Sequence, residues 1–144
     1  MEPATMGRVV VSALIENLDD LFGSQTGRLD ESEIRRVEVS DALIDTGAFG
    51  LQIPMRYVKR LGLSPVRTRM SRNIGGDLPI TTYRAVRLTI QGRDCITDVA
   101  GVSDDLPVII GQILLESMDW VVDVRGQKLI GNPEHGGEDM VDIL

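Results

Sequence analysis

The segment Ala42-Leu43-Ile44-Asp45-Thr46-Gly47-Ala48 decides how this chain is interpreted, because an apolar run ends there at a carboxylate. Val37 and Val39 alternate with polar residues just before it, which predicts a strand that becomes fully buried and delivers Asp45 to the interior. An isolated buried carboxylate is costly unless hydrogen bonds or a shared proton relieve it. Asp45 therefore calls for a functional explanation, although Asp45-Thr46-Gly47 is also compatible with an ordinary turn.

The residues beside Asp45 suit a carboxylate in a cleft. The Thr46 hydroxyl can hydrogen-bond across an interface, and Gly47 has no side chain to block the backbone of a substrate. Further along, Asn73-Ile74-Gly75-Gly76-Asp77 has the residues of a tight turn and predicts the tip of a long hairpin, or no more than an ordinary hairpin turn. Val108-Ile109-Ile110 predicts a second buried strand, which ends at Gly111.

Composition narrows the chemistry to carboxylates. The chain has one cysteine, Cys95, and one histidine, His135, so no Cys/His zinc cluster and no internal disulfide are expected. His135 lies in a glycine-containing stretch that predicts a solvated position, and Cys95 is interpreted as a small buried residue. Catalysis, if present, is expected to rest on carboxylates without a metal or an organic cofactor.

Length and charge indicate one soluble domain. The 144 residues include 42% hydrophobic residues and carry a net charge of −7, which disfavours nucleic acid as a partner. No apolar run is long enough to span a membrane, so a cytoplasmic location is expected by default. We expect a flexible N-terminus over residues 1–6, one domain over residues 7–131 and an acidic flexible tail over residues 132–144.

Many short strands separated by turns favour a closed or sandwich-like β domain. The first strand is predicted near Gly7 to Leu14, and the segment Leu18 to Glu33 is interpreted as a long loop. Two short helices are predicted: one from Met55 to Leu61, with Pro54 at its start and Gly62 as its cap, and one from Gln112 to Met118.

Three motifs together resemble the retroviral-type (retropepsin-like) aspartic proteases and their cellular or bacterial relatives. They are Ala42-Leu43-Ile44-Asp45-Thr46-Gly47-Ala48, then Ile74-Gly75-Gly76, and then Val108-Ile109-Ile110-Gly111 followed by Ile113-Leu114-Leu115, in family order and spacing. The similarity covers roughly Val37 to Val124, and its specificity lies in the combination. It implies a mainly β, closed-barrel acid-protease fold with one or two short helices, assembled as a homodimer.

The resemblance also implies a role for each matching residue. Asp45 would be the catalytic residue, one from each chain, acting on an extended peptide or protein substrate. The active site would be supported by Thr46, Gly47, Ala48 and Gly111, and the flap that binds substrate would contain Asn73, Ile74, Gly75 and Gly76.

The sequence departs from the family pattern at two positions. Phe49 stands where viral members have an acidic residue, and Gln112 where they have arginine, so the ion pair that braces the family's dimer is not expected. Phe49 is expected to pack or to line a pocket, and Trp120 to serve as a core or interface aromatic. Two alternatives stay open: a catalytically silent peptide-binding or dimerisation module, and a regulatory domain excised from a longer polypeptide.

Overall fold

A closed ring of six β-strands forms the body of the protein in the computed structural model, which describes residues 8–73 and 75–142. In the described ranges the strands are β1 (Val9–Asn17), β2 (Arg36–Ile44), β3 (Leu51–Pro54), β4 (Ser64–Asn73), β5 (Gly76–Ile90), β6 (Arg93–Val102), β7 (Ile109–Ile110), β8 (Trp120–Asp123) and β9 (Lys128–Gly131). Around the ring the order is β1-β2-β7-β3-β6-β5, and pairing of β5 with β1 completes it. The predicted mainly β, closed-barrel class is confirmed.

Three helices lie between the strands in the described part of the chain: α1 (Leu18–Gln25), α2 (Met55–Leu61) and α3 (Gln112–Ser117). The α2 helix is confirmed over Met55–Leu61, although Pro54 is its N-cap and not its first residue. Gly62 has the left-handed conformation (φ 62°) that ends a helix most easily at glycine. Short 3₁₀ turns cover Glu31–Glu33 and Pro133–His135. Across the described residues, no helix is long and apolar enough to cross a membrane.

Side chains of alternate residues on the strands fill the interior of the barrel. On β1 the inward positions are apolar and Ile15 is fully buried, while Leu88 and Ile90 project inward from β5. Ile53 and Ile110, from the shorter strands, complete the same fully buried cluster. The core is therefore built from side chains of every strand of the ring, as the period of two in the sequence predicts.

A buried carboxylate lies at the strand that closes the ring. Glu16 on β1 is 3% exposed and meets two arginines, Arg36 on β2 at 3.0 Å and Arg87 on β5 at 2.8 Å. Burying this charge is tolerable because each of its two oxygens accepts hydrogen bonds from a guanidinium group. One side chain thus ties β1 to both of its neighbours.

The interpretation of Leu18 to Glu33 as a long loop is wrong, because the segment begins with α1. Asn17 caps that helix by accepting a hydrogen bond from the Asp20 backbone N–H at 2.9 Å, while its own amide donates to the Leu61 carbonyl at 2.7 Å. The Asp20 carboxylate in turn binds Arg35, with a nearest distance of 2.9 Å. The helix therefore forms through a cap and an ion pair that the polar composition of the segment concealed.

The chain after β9 is held against the domain by Asp119. This carboxylate is 7% exposed and accepts hydrogen bonds from the Asn132 side chain and the Met140 backbone, and it pairs with His135 Nδ1 at 2.7 Å. The His135 side chain is only 13% exposed, so the expected solvated position is wrong. Asn132, His135 and Met140 thus contact Asp119 from within the segment 132–144, for which a flexible tail was expected.

The Asp119–His135 pair makes stability depend on pH. The hydrogen bond to Asp119, assisted by one to Asp142, raises the pKa of His135. Burial opposes ionisation of Asp119, but its hydrogen bonds with His135, Met140 and Asn132 outweigh burial and lower its pKa.

The stabilisation by His135 is therefore fully present below its ordinary pKa of about 6.5 and is lost as the pH rises through the raised value. The Asp119 contribution is lost at the acid end, as the pH falls through the lowered value. In urea unfolding at a series of pH values, we expect His135→Gln to destabilise the protein most in the mildly acidic range and less above neutrality. Lys128→Gln removes an exposed positive charge and should show no such trend; an equal trend would contradict the assignment.

Candidate active site

Asp45 follows directly after β2, where that strand pairs in parallel with β7 through Leu43–Ile109 and Ile44–Ile110. The Asp45 backbone N–H continues this ladder by donating to the Ile110 carbonyl at 3.0 Å. Its side chain accepts a hydrogen bond from the Gly47 N–H at 2.9 Å, which is a local turn of the type that Asp favours. The turn and the ladder together fix the carboxylate at the end of a rigid strand.

The expectation that the strand delivers Asp45 to the interior is wrong for the single chain. Ile44 is the last buried residue, and Asp45, Thr46 and Gly47 are all exposed. Burial ends there because the chain turns after Ile44 instead of continuing along the ring. The carboxylate is consequently open to a ligand or to another protein chain.

Gly111 supports the loop of residues 45–50 from below. A Cβ atom at this position would lie 2.6 Å from the backbone of Ala48 and Phe49, so no larger residue fits. The Gly111 N–H donates to the Gly50 carbonyl at 3.0 Å, and the Gln112 N–H donates to the Ala48 carbonyl at 3.1 Å. The structure therefore brings Gly111 and Ala48 together with the loop that carries Asp45.

The predicted hairpin is formed by β4 and β5, whose pairing runs from Ser64–Arg84 to Asn73–Gly76. Gly76 has a φ of 116°, a conformation that favours glycine. Gly75 lies in the exposed turn, whereas Ile74, also predicted for the tip, lies outside the described residues. In the described sheet β4 pairs with β5 alone, and no strand pairs with the other edge of β4.

A groove of about 1080 Å³ lies between this hairpin, the 45–50 loop and the residues after β6. Four large, exposed apolar side chains line this groove: Phe49, Met70, Leu78 and Leu106. Exposed apolar groups gathered in one concave place mark a binding site more often than scattered ones do. The expectation that Phe49 lines a pocket is confirmed.

A second, smaller cavity of about 590 Å³ adjoins the other side of the loop. Thr46 and Gln112 line it together with Trp120 on β8. Trp120 packs against the core and carries the Arg93 guanidinium 4.0 Å above its ring, in agreement with its predicted role as a core aromatic. The loop of Asp45 thus contributes Phe49 to one cavity and Thr46 to the other.

The two positions that depart from the family pattern are electrically neutral in the structure as well. Phe49 is 78% exposed, and the Gln112 amide donates to Glu116 on its own helix at 3.3 Å. Among the described residues, no group of three or more His, Cys, Asp and Glu side chains is arranged to hold a metal ion.

Several groove residues were not anticipated from the sequence. Arg69, Met55 and Tyr83 all line the groove, although they come from three separate elements. Which residues of β4 line the groove depends on where the hairpin lies relative to the 45–50 loop and to β6, which are distant in the sequence. Side chains that meet from distant elements leave no local signal.

Comparison with solved structures finds similarity to the protease of simian foamy virus (mac), at 16% identity, covering 74% of this chain and 91% of the viral one, with a TM-score of 0.46. The EIAV protease complexed with the inhibitor HBY-793 aligns at 19% identity, covering 76% of this chain and 86% of that chain, also with a TM-score of 0.46. No protein-family model matches the sequence, and no curated protein matches it significantly. At these identities and TM-scores the likeness carries no conclusion about activity.

The close approach at Gly111 leads to a direct test. We expect Gly111→Ala to push the 45–50 loop away from β7 and to lower the free energy of unfolding by about 1–3 kcal/mol, as overpacking does. Gly50→Ala is the matched control, because a Cβ there meets no atom within 4 Å. Urea unfolding of both variants checks the difference, and equal stability of the two would contradict the supporting role of Gly111.

Proposed function

We propose that the protein is an aspartic endopeptidase that hydrolyses peptide bonds with two Asp45 carboxylates, one from each chain of a homodimer. The observation that carries the proposal is an exposed Asp45 on a braced loop whose Phe49 lines a groove beside a long hairpin. The order of the three sequence motifs supports the same assignment. Their resemblance to the retropepsin-like proteases gives Asp45 its catalytic role in the proposal.

A second copy of the chain is needed because one chain supplies only half of this chemistry. The Asp-Thr-Gly motif occurs once in the sequence, and the described hydrogen bonds of Asp45 are to backbone groups. A twofold axis brings the same surface of two copies together, so two exposed Asp45 side chains can meet across it. Thr46, exposed beside Asp45, is then available to hydrogen-bond across the interface.

In the proposed reaction, one Asp45 is ionised and the other protonated, because two carboxyl groups about 3 Å apart do not both ionise readily. The ionised Asp45 takes a proton from water while the oxygen of that water attacks the carbonyl carbon of the peptide. The protonated Asp45 donates to the carbonyl oxygen. The carbon–nitrogen bond then breaks as a proton is returned to nitrogen, which releases an amine and a carboxylic acid.

The groove fits a substrate in extended conformation. It runs beside β4, and its apolar lining suits alternate side chains of a strand-like peptide. Closure of the hairpin around residues 73–76 would exclude bulk water, which strengthens the interactions of the reacting charges. Gly75 and Gly76 would allow the peptide backbone to approach the tip.

A catalytically silent, peptide-binding homologue is the competing proposal, and the neutral residues Phe49 and Gln112 favour it. Such a module would keep the groove and the dimer but would cleave no peptide. Both proposals predict binding of extended peptides, so turnover separates them.

Replacing the carboxylate tests the endopeptidase directly. We expect Asp45→Asn to reduce cleavage of a peptide library by about 10²–10⁴-fold or more, because the general acid and base are lost together. Cleavage products are measured by mass spectrometry over a pH series, and the wild-type rate should follow a bell-shaped profile.

Asp41→Asn is the matched control, since Asp41 is an exposed carboxylate on the same strand, β2. It should leave cleavage unchanged, and circular dichroism should show both variants folded. Full activity in pure Asp45→Asn protein would rule out the endopeptidase proposal. Absence of cleavage by the wild type at every pH would favour the catalytically silent, peptide-binding module.

Mixing of chains tests the shared site. If one Asp45 comes from each chain, adding an equal amount of Asp45→Asn protein to dimeric wild type should reduce activity to about half, because mixed dimers are inactive. Adding the same amount of Asp41→Asn protein should cause no loss. If the activity does not fall after the Asp45→Asn protein is added, although sedimentation shows that subunits exchange, the whole site lies in one chain.

A further inference from the structure

The hairpin beside the groove is positively charged, in contrast to the rest of the chain. Residues 64–84 include four arginines and one aspartate, whereas the whole protein has a net charge of −7. The single aspartate, Asp77, lies 3.8 Å from Arg72 across the hairpin, so its charge is already opposed. The hairpin therefore presents an excess of positive charge next to the groove.

One of these arginines, Arg69, lines the groove itself. Among the described residues that line the groove it is the only charged one, and no acidic side chain lines the groove beside it. Arg69 is exposed and forms no ion pair with any residue in the described part of the chain. Its cross-strand partner on β5 is Ile80, which offers no compensating charge.

The surroundings of Arg69 are apolar. Met70 follows it on β4 and is 66% exposed, and Leu78 on β5 is 54% exposed, and both line the same groove. A peptide lying there would cover these side chains and reduce the access of water to the guanidinium group. A charge interaction gains strength as water is excluded, and an arginine covered without a partner would lose hydration.

We infer that Arg69 selects substrates in which an acidic side chain lies next to apolar ones. The inference rests on the proposed function, because it concerns the peptide that occupies the same groove. A Glu or Asp carboxylate can accept two parallel hydrogen bonds from the guanidinium group, while neighbouring apolar side chains contact Met70, Leu78 and Phe49. Arg69 is thus a specificity-determining residue, and the substrate class is an extended, acidic and apolar peptide.

Binding is measured in the Asp45→Asn protein, so that the result does not depend on cleavage. The probes are fluorescein-labelled short peptides of Val, Leu and Ser that carry one Glu at each position in turn, with matched peptides that carry Gln. We expect one Glu peptide to bind about threefold to fivefold more tightly than its Gln counterpart by fluorescence anisotropy, and this preference to shrink in high salt.

Arg69→Gln, made in the same background, should remove the preference for Glu. Arg67→Gln is the matched control, because it removes the same charge from the same strand but does not line the groove. It should keep most of the preference. Both arginines are exposed, so circular dichroism is expected to be unchanged.

Equal binding of Glu and Gln peptides at every position would overturn the inference, as would an equal loss of preference in both variants. Absence of binding by any peptide would overturn it too. None of these results decides the proposed function, which depends on cleavage of the unbiased library by the wild type. Conversely, a preference for Glu that needs Arg69, without any cleavage, would support the inference. The function would then be that of the catalytically silent, peptide-binding module.

Discussion

Closure of the sheet through β1 is the constraint on which the rest of the structure depends. This strand pairs with β2 along one edge and with β5 along the other, and without it the ring would be an open sheet with two exposed edges. The buried Glu16 carboxylate, held by Arg36 and Arg87, lies at this position. Removing both arginines would leave an uncompensated charge in the interior, so the closed ring depends on both ion pairs of Glu16.

The closed ring places the two parts of the candidate site. The same β2 that pairs with β1 ends at Ile44, which pairs with Ile110, and this register sets Asp45 opposite the glycine that supports its loop. On the other side, β5 belongs to both structures: its last residues pair with β1 in the ring, and its first residues form the hairpin over the groove. Loop and hairpin are therefore positioned by a single framework.

Local patterns predicted the parts of this protein that local chemistry determines. The helix capped by Gly62 and the hairpin turn follow from backbone preferences, and they lie where the sequence indicated. The supporting role of Gly111 was implied by the resemblance of the motifs, and its physical basis is the close approach of the loop backbone. Long-range partners were not predictable in the same way. His135 was expected in solvent, because no residue near it in sequence indicates the contact with Asp119. Asp45 was expected in the interior, because the apolar pattern of a buried strand does not indicate where the chain turns towards solvent.

Cys95 shows how the ring can report on its own integrity. It lies on β6 opposite Leu88, and burial raises the pKa of its thiol to about 11. A thiol reagent needs both contact with the sulfur and its deprotonated form, and the folded barrel withholds both. Because Cys95 is the one cysteine in the chain, its rate of chemical labelling is set by how often this part of the barrel opens. The labelling rate of Cys95 therefore measures local opening of the barrel without any added probe.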